Sequence, residues 1–361
     1  MCTAPRLVKN PYRKLSGKGL NYLHDDLNYL LVPCGVCPEC LATKQLGVVQ
    51  RIEIEASYSV VYCLMFSYQN KFLPQLVLPT GEIVRCFRRS DIQNMFHRVR
   101  HSGVLPDFKY FYVSEYGGRK HRPHYHMMIF FPECQDYISP SFHQLVFDTF
   151  LKEWRINLGS RRVPIYEPLL IYKEKFVGSK FFRNFDVQLL NKSFGQDVRA
   201  AFYNSKYCIK PSRFVKSLYA NVLDAYDGDK DLAYSDLRKC MPFRQFSHGF
   251  GLPDKALFPA RYAAVVDMLR HSVSISFDNG YPYPHYYSPF NPGFIAPLSR
   301  FYYNNPDIFN IDDAIKFYER NGRYKESSRP TLDHFKAAEA AYQGRCRLVD
   351  GRLDSDCVIY D

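Results

Sequence analysis

The stretch FKYFYVSEYGGRKHRPHYHMMIFF, residues 108–131, predicts a β-hairpin. Aromatic and β-branched residues favour one strand from Phe108 to Tyr116 and a second from about His124 to Phe131. The glycine pair at positions 117 and 118 begins the turn, since glycine adopts the backbone angles of a tight turn without steric cost. The hairpin therefore brings the start of the second strand beside the end of the first.

The second strand carries two histidines that point to the same face. Residues two apart on a strand share a face, so His124 and His126 can present their imidazoles to one ion, while Tyr125 points the other way. If the hairpin has no bulge and Glu115 lies opposite either histidine, its carboxylate shares that face. Such a set binds a divalent ion and leaves positions open, so we expect Mg²⁺ or Mn²⁺ acting on a phosphodiester. The alternative for this triplet alone is a pair of ordinary strand histidines, and His121 is a nearby decoy.

A second pattern, YNSKYCIK at residues 203–210, falls on a helix predicted over roughly Gln196–Lys210. A helix advances about 100° per residue, so four polar positions of this pattern lie within roughly 100° of arc. Lysine charge favours the phenolate of a tyrosine, whose ordinary pKa is about 10, and a metal on the target phosphate favours its attack. The order in which the tyrosines act stays open, and the alternative is an amphipathic helix in a chain with 29 tyrosines. The four side chains are Tyr203, Lys206, Tyr207 and Lys210.

Three cysteines near the amino terminus have the close spacing of metal ligands. Cys34, Cys37 and Cys40 supply three ligands, and a closed structural zinc site needs a fourth, for which Cys2 is the favoured candidate. A ferredoxin-type iron–sulfur site fits less well, because Lys44 stands where the next cysteine is expected. Free thiols in a reducing cytoplasm are an equal alternative to zinc.

The composition favours a folded protein with a polyanionic partner. The 361 residues are 46% hydrophobic, and 48 Lys and Arg against 36 Asp and Glu give a net charge of +12. A basic surplus favours nucleic acid, because each neutralised phosphate releases counterions; the alternative is charge that serves solubility. The longest apolar runs, such as residues 127–131, are far shorter than the roughly 20 residues of a membrane-spanning helix. The start of the sequence lacks the apolar core of a secretory signal, so a cytoplasmic location is expected.

The order of predicted elements is that of an α+β sandwich, an antiparallel sheet covered by helices. Before the hairpin we expect a helix over Leu41–Ser59, a buried strand over Val60–Tyr68 and a helix that Ser90 caps and that ends near Arg100. After the hairpin, a helix begins near Pro140 and a less regular strand covers Ser160–Leu170. The sheet therefore precedes the helix that carries the tyrosines.

Strand signals fade beyond Pro211, where helical patterns alternate with aromatic loops. We divide the chain into a basic arm with the cysteine cluster over 1–50, a catalytic domain over 51–215 and a mainly helical extension over 216–361. The helical patterns beyond Pro211 cover Ser212–Tyr226, Ala260–His271, Ile311–Asn321 and Pro330–Tyr342.

Taken together, these motifs resemble the HUH endonucleases, and in particular the replication initiators of the microviruses in their gokushovirus-like branch. The segment CLMFSY at 63–68 looks like that family's first motif, and His124-Tyr125-His126 matches its metal motif. Residues 203–210 match its two-tyrosine motif, YxxKYxxK, and residues 34–40 resemble its amino-terminal cysteine cluster. The matches lie in the family's order and cover about residues 30–215.

The resemblance implies a ferredoxin-like or RRM-like antiparallel palm and rolling-circle replication of a viral genome. It implies that one strand of the viral origin DNA is nicked, with a covalent 5′-phosphotyrosine and a free 3′-hydroxyl primer, and that the second tyrosine cuts the regenerated origin. Glu115 as third metal ligand is a transfer from related HUH enzymes. A host helicase as partner and the cytoplasm of an infected bacterium as location also come from the family.

Three other functions remain as alternatives. A basic DNA-binding or packaging protein without catalysis explains the charge but gives the ordered His and Tyr motifs no role. A plasmid initiator or a two-tyrosine transposase shares the chemistry. A two-histidine, one-carboxylate iron oxygenase fits the first motif and leaves residues 203–210 unexplained.

Overall fold

The computed structural model describes residues 6–9, 29–32, 38–177, 180–190, 196–205, 213–278, 281–291, 293–310 and 313. Backbone contacts divide the chain into two compact units. One comprises Met1–Gln50 with Phe258–Ile359, and the other comprises Arg51–Leu257 with Tyr360–Asp361. The helices predicted over Ile311–Asn321 and Pro330–Tyr342 lie outside the described residues, apart from Asp313.

Helices and antiparallel strands alternate along the described chain, which confirms the α+β prediction. The helices are α1 (Pro38–Ala56), α2 (Arg89–Ser102), α3 (Pro140–Glu153), α4 (Gln196–Ser205), α5 (Arg213–Asp224), α6 (Lys230–Cys240), α7 (Pro259–His271) and α8 (Arg300–Tyr303). The strands are β1 (Arg6–Lys9), β2 (Tyr29–Val32), β3 (Ser59–Phe66), β4 (Gln75–Val77), β5 (Ile83–Arg85), β6 (Lys109–Tyr116), β7 (Pro123–Pro132), β8 (Arg155–Asn157), β9 (Tyr166–Pro168), β10 (Glu174–Val177), β11 (Lys180–Arg183), β12 (Val187–Leu189), β13 (Arg244–Phe246), β14 (Val273–Asp278), β15 (Tyr281–Tyr287) and β16 (Ile295–Pro297).

A five-stranded antiparallel sheet forms the centre of the larger unit, with the strand order β12-β3-β7-β6-β13. The predicted hairpin is at its middle, because β6 and β7 pair without interruption from Lys109 to Tyr116. The predicted buried strand is β3, which pairs with β7 along its whole length. Since β7 has neighbours on both edges and side chains packed on both faces, its apolar run is that of a central strand.

Helices α2 and α3 cover one face of this sheet. Phe142, Val146 and Phe150 recur at intervals of four along α3 and are buried, which is the apolar stripe of a helix packed on a core. Trp154, directly after α3, is fully buried with its ring 5.0 Å from the ring of Phe66 on β3. Burial of an aliphatic or phenylalanine side chain of this kind stabilises a fold by about 1.5–3 kcal/mol.

The end of α1 lies against the opposite face of the sheet. Glu55 is buried there, and its carboxylate accepts hydrogen bonds from Lys109 Nζ at 3.0 Å, from the Gly251 backbone at 2.7 Å and from the Tyr58 hydroxyl at 2.8 Å. A buried carboxylate needs such partners, because an unpaired charge in the interior is strongly destabilising. This network fixes the end of α1 to β6.

The smaller unit contains a three-stranded antiparallel sheet in the order β14-β15-β16 and, separately, the pair β1-β2. The Gln50 side chain bonds both ends of the segment after β15: its Nε2 donates to the Pro297 carbonyl at 2.7 Å, and its Oε1 accepts from the Ser299 backbone at 2.8 Å. Residue 47 is a glycine whose added Cβ would lie 3.2 Å from Ser299 Oγ, so the start of α8 approaches α1 closely. Among the described residues, none of the helices has the length and apolar character needed to cross a membrane.

The structure corrects three details of the sequence prediction. Ser90 does not cap α2, since the helix begins one residue earlier with Arg88 at its cap. The single strand expected over Ser160–Leu170 is wrong: β8 and β9 form a hairpin whose loop occupies most of that range. The reason is local, because the side chain of Asn157 bonds the loop backbone and turns the chain there.

Strands were not expected beyond Pro211, yet β13 to β16 are present. β13 is three residues long, too short to show a periodicity, and only its pairing with β6 makes it a strand. β15 contains two prolines, Pro282 and Pro284, which favour a loop in a sequence. Both lie in the part of β15 that pairs with β14 and not with β16, so their missing N–H groups can face an unpaired edge.

Candidate active site

The hairpin brings a carboxylate and two imidazoles together. Glu115 on β6 is directly opposite His124 on β7, and His126 shares their face two residues further on. The distance from Glu115 Oε1 is 2.6 Å to His124 Nε2 and 3.2 Å to His126 Nε2. One potential ligand atom from each residue lies within 4.8 Å of the others. The geometric condition set by the sequence, a hairpin without a bulge, is therefore met.

The charge state of Glu115 suits a metal ligand. Burial alone would raise its pKa, but hydrogen bonds from His124 and His126 and their positive charge outweigh it, and the pKa is lowered to about 2. The carboxylate is thus ionised at neutral pH. His124 Nδ1 lies 3.1 Å from the carbonyl oxygen of Arg122, to which it donates, so Nε2 is the nitrogen available to an ion.

This donor set fits a small divalent cation. Two imidazole nitrogens and one carboxylate occupy one side of an ion and leave its remaining positions to water or phosphate oxygens. Mg²⁺ keeps several waters in such sites and needs few protein carboxylates, and Mn²⁺ accepts the same oxygen ligands alongside imidazole.

Helix α4 carries Tyr203 to the edge of this cluster. Ala201, Asn204 and Ser205 form the buried side of α4, and Asn204 Nδ2 lies 4.0 Å from Cys63 Sγ on β3. Cys63 is on the sheet face that carries His126, because its neighbour two residues along, residue 65, pairs with His126. Burial raises the pKa of the Cys63 thiol to about 12, with a smaller opposing effect from Asn204, so it stays protonated.

Tyr203 itself is 49% exposed, and its ring centroid is 5.8 Å from that of His126. The two rings meet edge to face at an interplanar angle of 76°. A phenol in this place is open to a substrate from solvent and adjacent to the imidazoles. The structure thus joins two motifs that are 77 positions apart in the sequence, from His126 to Tyr203.

Arg244 is a neighbour of the cluster that the sequence did not identify. It lies on β13 opposite Val113, and Val113 lies opposite His126, so all three share a face of the sheet. Its side chain is exposed. A guanidinium beside a metal cluster can bind a phosphate oxygen in bidentate fashion. No pattern in the sequence indicated it, because the strand that carries it is too short to recognise.

A comparison with known protein families gives one match. Residues 80–211 match the model of a family of replication-associated proteins of the ORF2 type. The chain is similar to replication-associated proteins. The matched range includes Glu115, both histidines and Tyr203, and it supports a replication-initiator role with DNA as the partner. No curated protein and no solved structure gives a significant match.

Several residues singled out in the sequence are not placed by the structure. Cys40 alone of the proposed zinc ligands is described, and it is buried in the first turn of α1. The residues that lie outside the described part of the chain are Lys206, Tyr207, Lys210, Cys2, Cys34 and Cys37.

The two remaining candidates of the hairpin are accounted for by packing. His121 adopts a left-handed backbone with φ 47° and stacks on Phe214 with ring centroids 4.0 Å apart, away from the cluster of the other two histidines. Tyr125 points to the opposite face, is fully buried, and shares hydrogen bonds with the Tyr68 hydroxyl at 3.3 Å and the Arg88 backbone at 3.2 Å. Burial raises the pKa of Tyr125, so it stays a neutral core phenol.

Proposed function

We propose that this protein is an HUH-type endonuclease that starts rolling-circle replication by nicking one strand of a viral origin. The observation that carries the proposal is the position of Tyr203, with its ring 5.8 Å from His126 at the edge of the Glu115–His124–His126 cluster. A nucleophile beside a metal-binding set on an open surface is the arrangement that phosphodiester transfer needs. The family match over 80–211 supports the same role.

Glu115, His124 and His126 would hold a Mg²⁺ or Mn²⁺ ion. When bound, such an ion supplies Lewis-acid polarisation of the scissile phosphodiester. The carbonyl of Arg122 holds the His124 ring through Nδ1 and so keeps Nε2 directed at the site. Arg244, on the same face, would bind a non-bridging phosphate oxygen and orient the phosphodiester.

Tyr203 would attack the phosphorus as a phenolate. Its phenol proton passes to solvent, the phenolate oxygen forms a bond to phosphorus, and the bond from phosphorus to the 3′ oxygen breaks. The electron pair leaves with that oxygen, which takes up a proton and becomes a 3′-hydroxyl primer. The products are a 5′-phosphotyrosine and a free 3′ end, with the energy of the broken bond retained for rejoining.

The second tyrosine and the two lysines complete the proposal. If α4 continues through residue 210, then Tyr207, Lys206 and Lys210 lie within about 100° of arc of Tyr203. The lysines would stabilise negative charge on the transferred phosphate. Tyr207 would cut the regenerated origin after one round, so that the displaced strand closes into a circle.

The biological setting follows from the order and spacing of the motifs. We place the protein with the replication initiators of gokushovirus-like microviruses, with single-stranded or supercoiled viral origin DNA as substrate, in the cytoplasm of an infected bacterium. A host helicase would then open the duplex ahead of the primer. A structural zinc ion on Cys2, Cys34, Cys37 and Cys40 is part of the same proposal.

A nicking assay with a metal rescue tests this function. The purified protein is incubated with circular viral single-stranded DNA after removal of metal by EDTA, and Mg²⁺ or Mn²⁺ is then restored. We expect linear product only with the ion. A protein that binds the circle under both conditions and never cuts it is a DNA-binding or packaging protein, and the proposal is then wrong.

A further inference from the structure

A hairpin outside the metal cluster presents an exposed, basic and apolar tip. Strands β8 and β9 pair from Arg155 opposite Pro168 to Asn157 opposite Tyr166, and the Leu158 backbone N–H extends the ladder to the Ile165 carbonyl at 2.8 Å. All residues from 160 to 166 are exposed. A tip of this kind needs a reason, because an exposed loop that only connects two strands has no need of large apolar residues.

The loop is held in one shape by its own side chains. Asn157 Oδ1 accepts hydrogen bonds from the backbone of Gly159 at 3.0 Å and of Ile165 at 2.9 Å. The Ser160 hydroxyl accepts from the Val163 backbone at 2.9 Å. Gly159 is required here, since a Cβ would collide with the backbone of Val163 and Ile165. A loop fixed before binding loses little conformational entropy when a partner arrives.

The tip is positively charged. Arg161 and Arg162 are exposed at the end of the loop. The acidic residue of the hairpin, Glu167, is paired with Lys71, whose Nζ is 2.5 Å from the carboxylate. Beside the arginines, Val163 is 68% exposed. Arginines next to exposed apolar side chains suit a partner with phosphates and base edges rather than an acidic, fully solvated surface.

The base of the hairpin is fixed to the segment that also supports the metal cluster. The indole N–H of Trp154 donates to the Ser67 carbonyl at 2.7 Å, and the Gln69 backbone donates to the Leu169 carbonyl at 2.7 Å. The guanidinium of Arg122, two residues before His124, donates to the carbonyl of Tyr68 in the same segment. Residues 67–69 therefore link the two structures within the larger unit.

We propose that residues 155–168 form a β-ribbon that enters the major groove of duplex DNA next to the nicking site, where Arg161 and Arg162 pair with phosphates. The major groove is about 12 Å wide and admits a two-stranded ribbon. Seven residues separate Trp154 from the tip, a reach of up to about 20 Å at 3.3 Å per residue. The inference rests on the proposed function only for the position of the groove beside the nick.

Binding to two forms of one DNA tests the ribbon. The probes are a duplex of mixed sequence of about 30 base pairs, roughly three helical turns, and one of its strands alone. Fluorescence anisotropy measures the affinity of the full chain and of the double variant Arg161→Ala/Arg162→Ala over a range of salt. We expect the variant to bind the duplex at least about tenfold more weakly, with a salt slope reduced by about 2, one for each phosphate contact. The loss on the single strand should be smaller.

A second double variant controls for the loss of charge. Lys230→Ala/Arg238→Ala removes the same two positive charges from exposed positions of α6. If both double variants weaken duplex binding equally, or if the hairpin variant loses as much affinity for the single strand as for the duplex, the ribbon is not a duplex contact. The covalent adduct of the unaltered protein is measured in parallel. An absent adduct contradicts the nicking function, whereas unchanged duplex binding by the hairpin variant contradicts the ribbon alone.

Discussion

Glu115 and His124 face each other across the ladder between β6 and β7, with 2.6 Å between Glu115 Oε1 and His124 Nε2. A slip of one residue in this register would turn one strand's set of side chains to the other face. Tyr125 would then stand beside Glu115, and the histidines would enter the aromatic core. The uninterrupted pairing of the hairpin is therefore what builds the cluster.

Removing both imidazoles should separate catalysis from DNA binding. In His124→Ala/His126→Ala we expect calorimetric binding of Mn²⁺ to disappear and nicking to fall at least about 1000-fold, since the phosphate loses its electrostatic stabilisation. DNA affinity should persist, because it depends on many lysines and arginines. The matched control is His97→Ala/His101→Ala, an exposed pair on α2 with ring centroids 4.1 Å apart. Full nicking by the first variant in excess EDTA would contradict the metal role.

Tyr125, the central residue of the metal motif, should matter for stability alone. Tyr125→Phe leaves the buried N–H of Arg88 without its hydroxyl partner, so we expect the free energy of unfolding to fall by about 1–2 kcal/mol. Nicking should be retained, because the hydroxyl lies on the face opposite to the cluster. Urea denaturation and a nicking assay on the same preparation measure both. Loss of activity without loss of stability would show that this face has a part in the reaction.

The seating of α4 on the sheet should control Tyr203. Ala201 is fully buried on the inner side of this helix. Ala201→Leu should overpack that contact, cost about 1–3 kcal/mol and displace the helix, so nicking falls while Mn²⁺ affinity is kept. The control is Ala264→Leu, the same change at an exposed position of α7. Equal nicking by both variants would mean that the position of α4 is not important for the reaction.

The cysteine cluster gives a prediction about bound zinc. If Cys2, Cys34, Cys37 and Cys40 form a closed site, elemental analysis of protein purified without added metal should find about one zinc per chain. Zinc would also shield the four thiols from alkylation in the native protein. Less than a tenth of that amount, with all four thiols alkylated, would establish free cysteines instead.

Local patterns in the sequence were sufficient for the hairpin and for the helices that cover it. Alternating side chains and a glycine turn define β6 and β7, and the pairing of Glu115 with His124 follows once no bulge interrupts them. The apolar run of β3 has the same clarity. These features depend on neighbours in the chain, so a single sequence carries them.

Other parts of the site depend on contacts between distant segments. Arg244 reaches the cluster's face only because a three-residue strand pairs with β6 across more than 120 residues of chain. The hairpin of Arg155–Pro168 depends on one side chain, Asn157, that turns the loop. Neither a short strand nor a single hydrogen-bonding side chain produces a periodic pattern, so both were missed.

The covalent intermediate is the most direct test of the nicking mechanism. The protein is incubated with single-stranded origin DNA and Mn²⁺, digested with protease and nuclease, and the modified peptide is mapped by mass spectrometry. We predict a nucleotide phosphate on Tyr203 or Tyr207, and no adduct in Tyr203→Phe/Tyr207→Phe. An adduct on any other tyrosine, or cleavage that leaves every tyrosine unmodified, would contradict the mechanism.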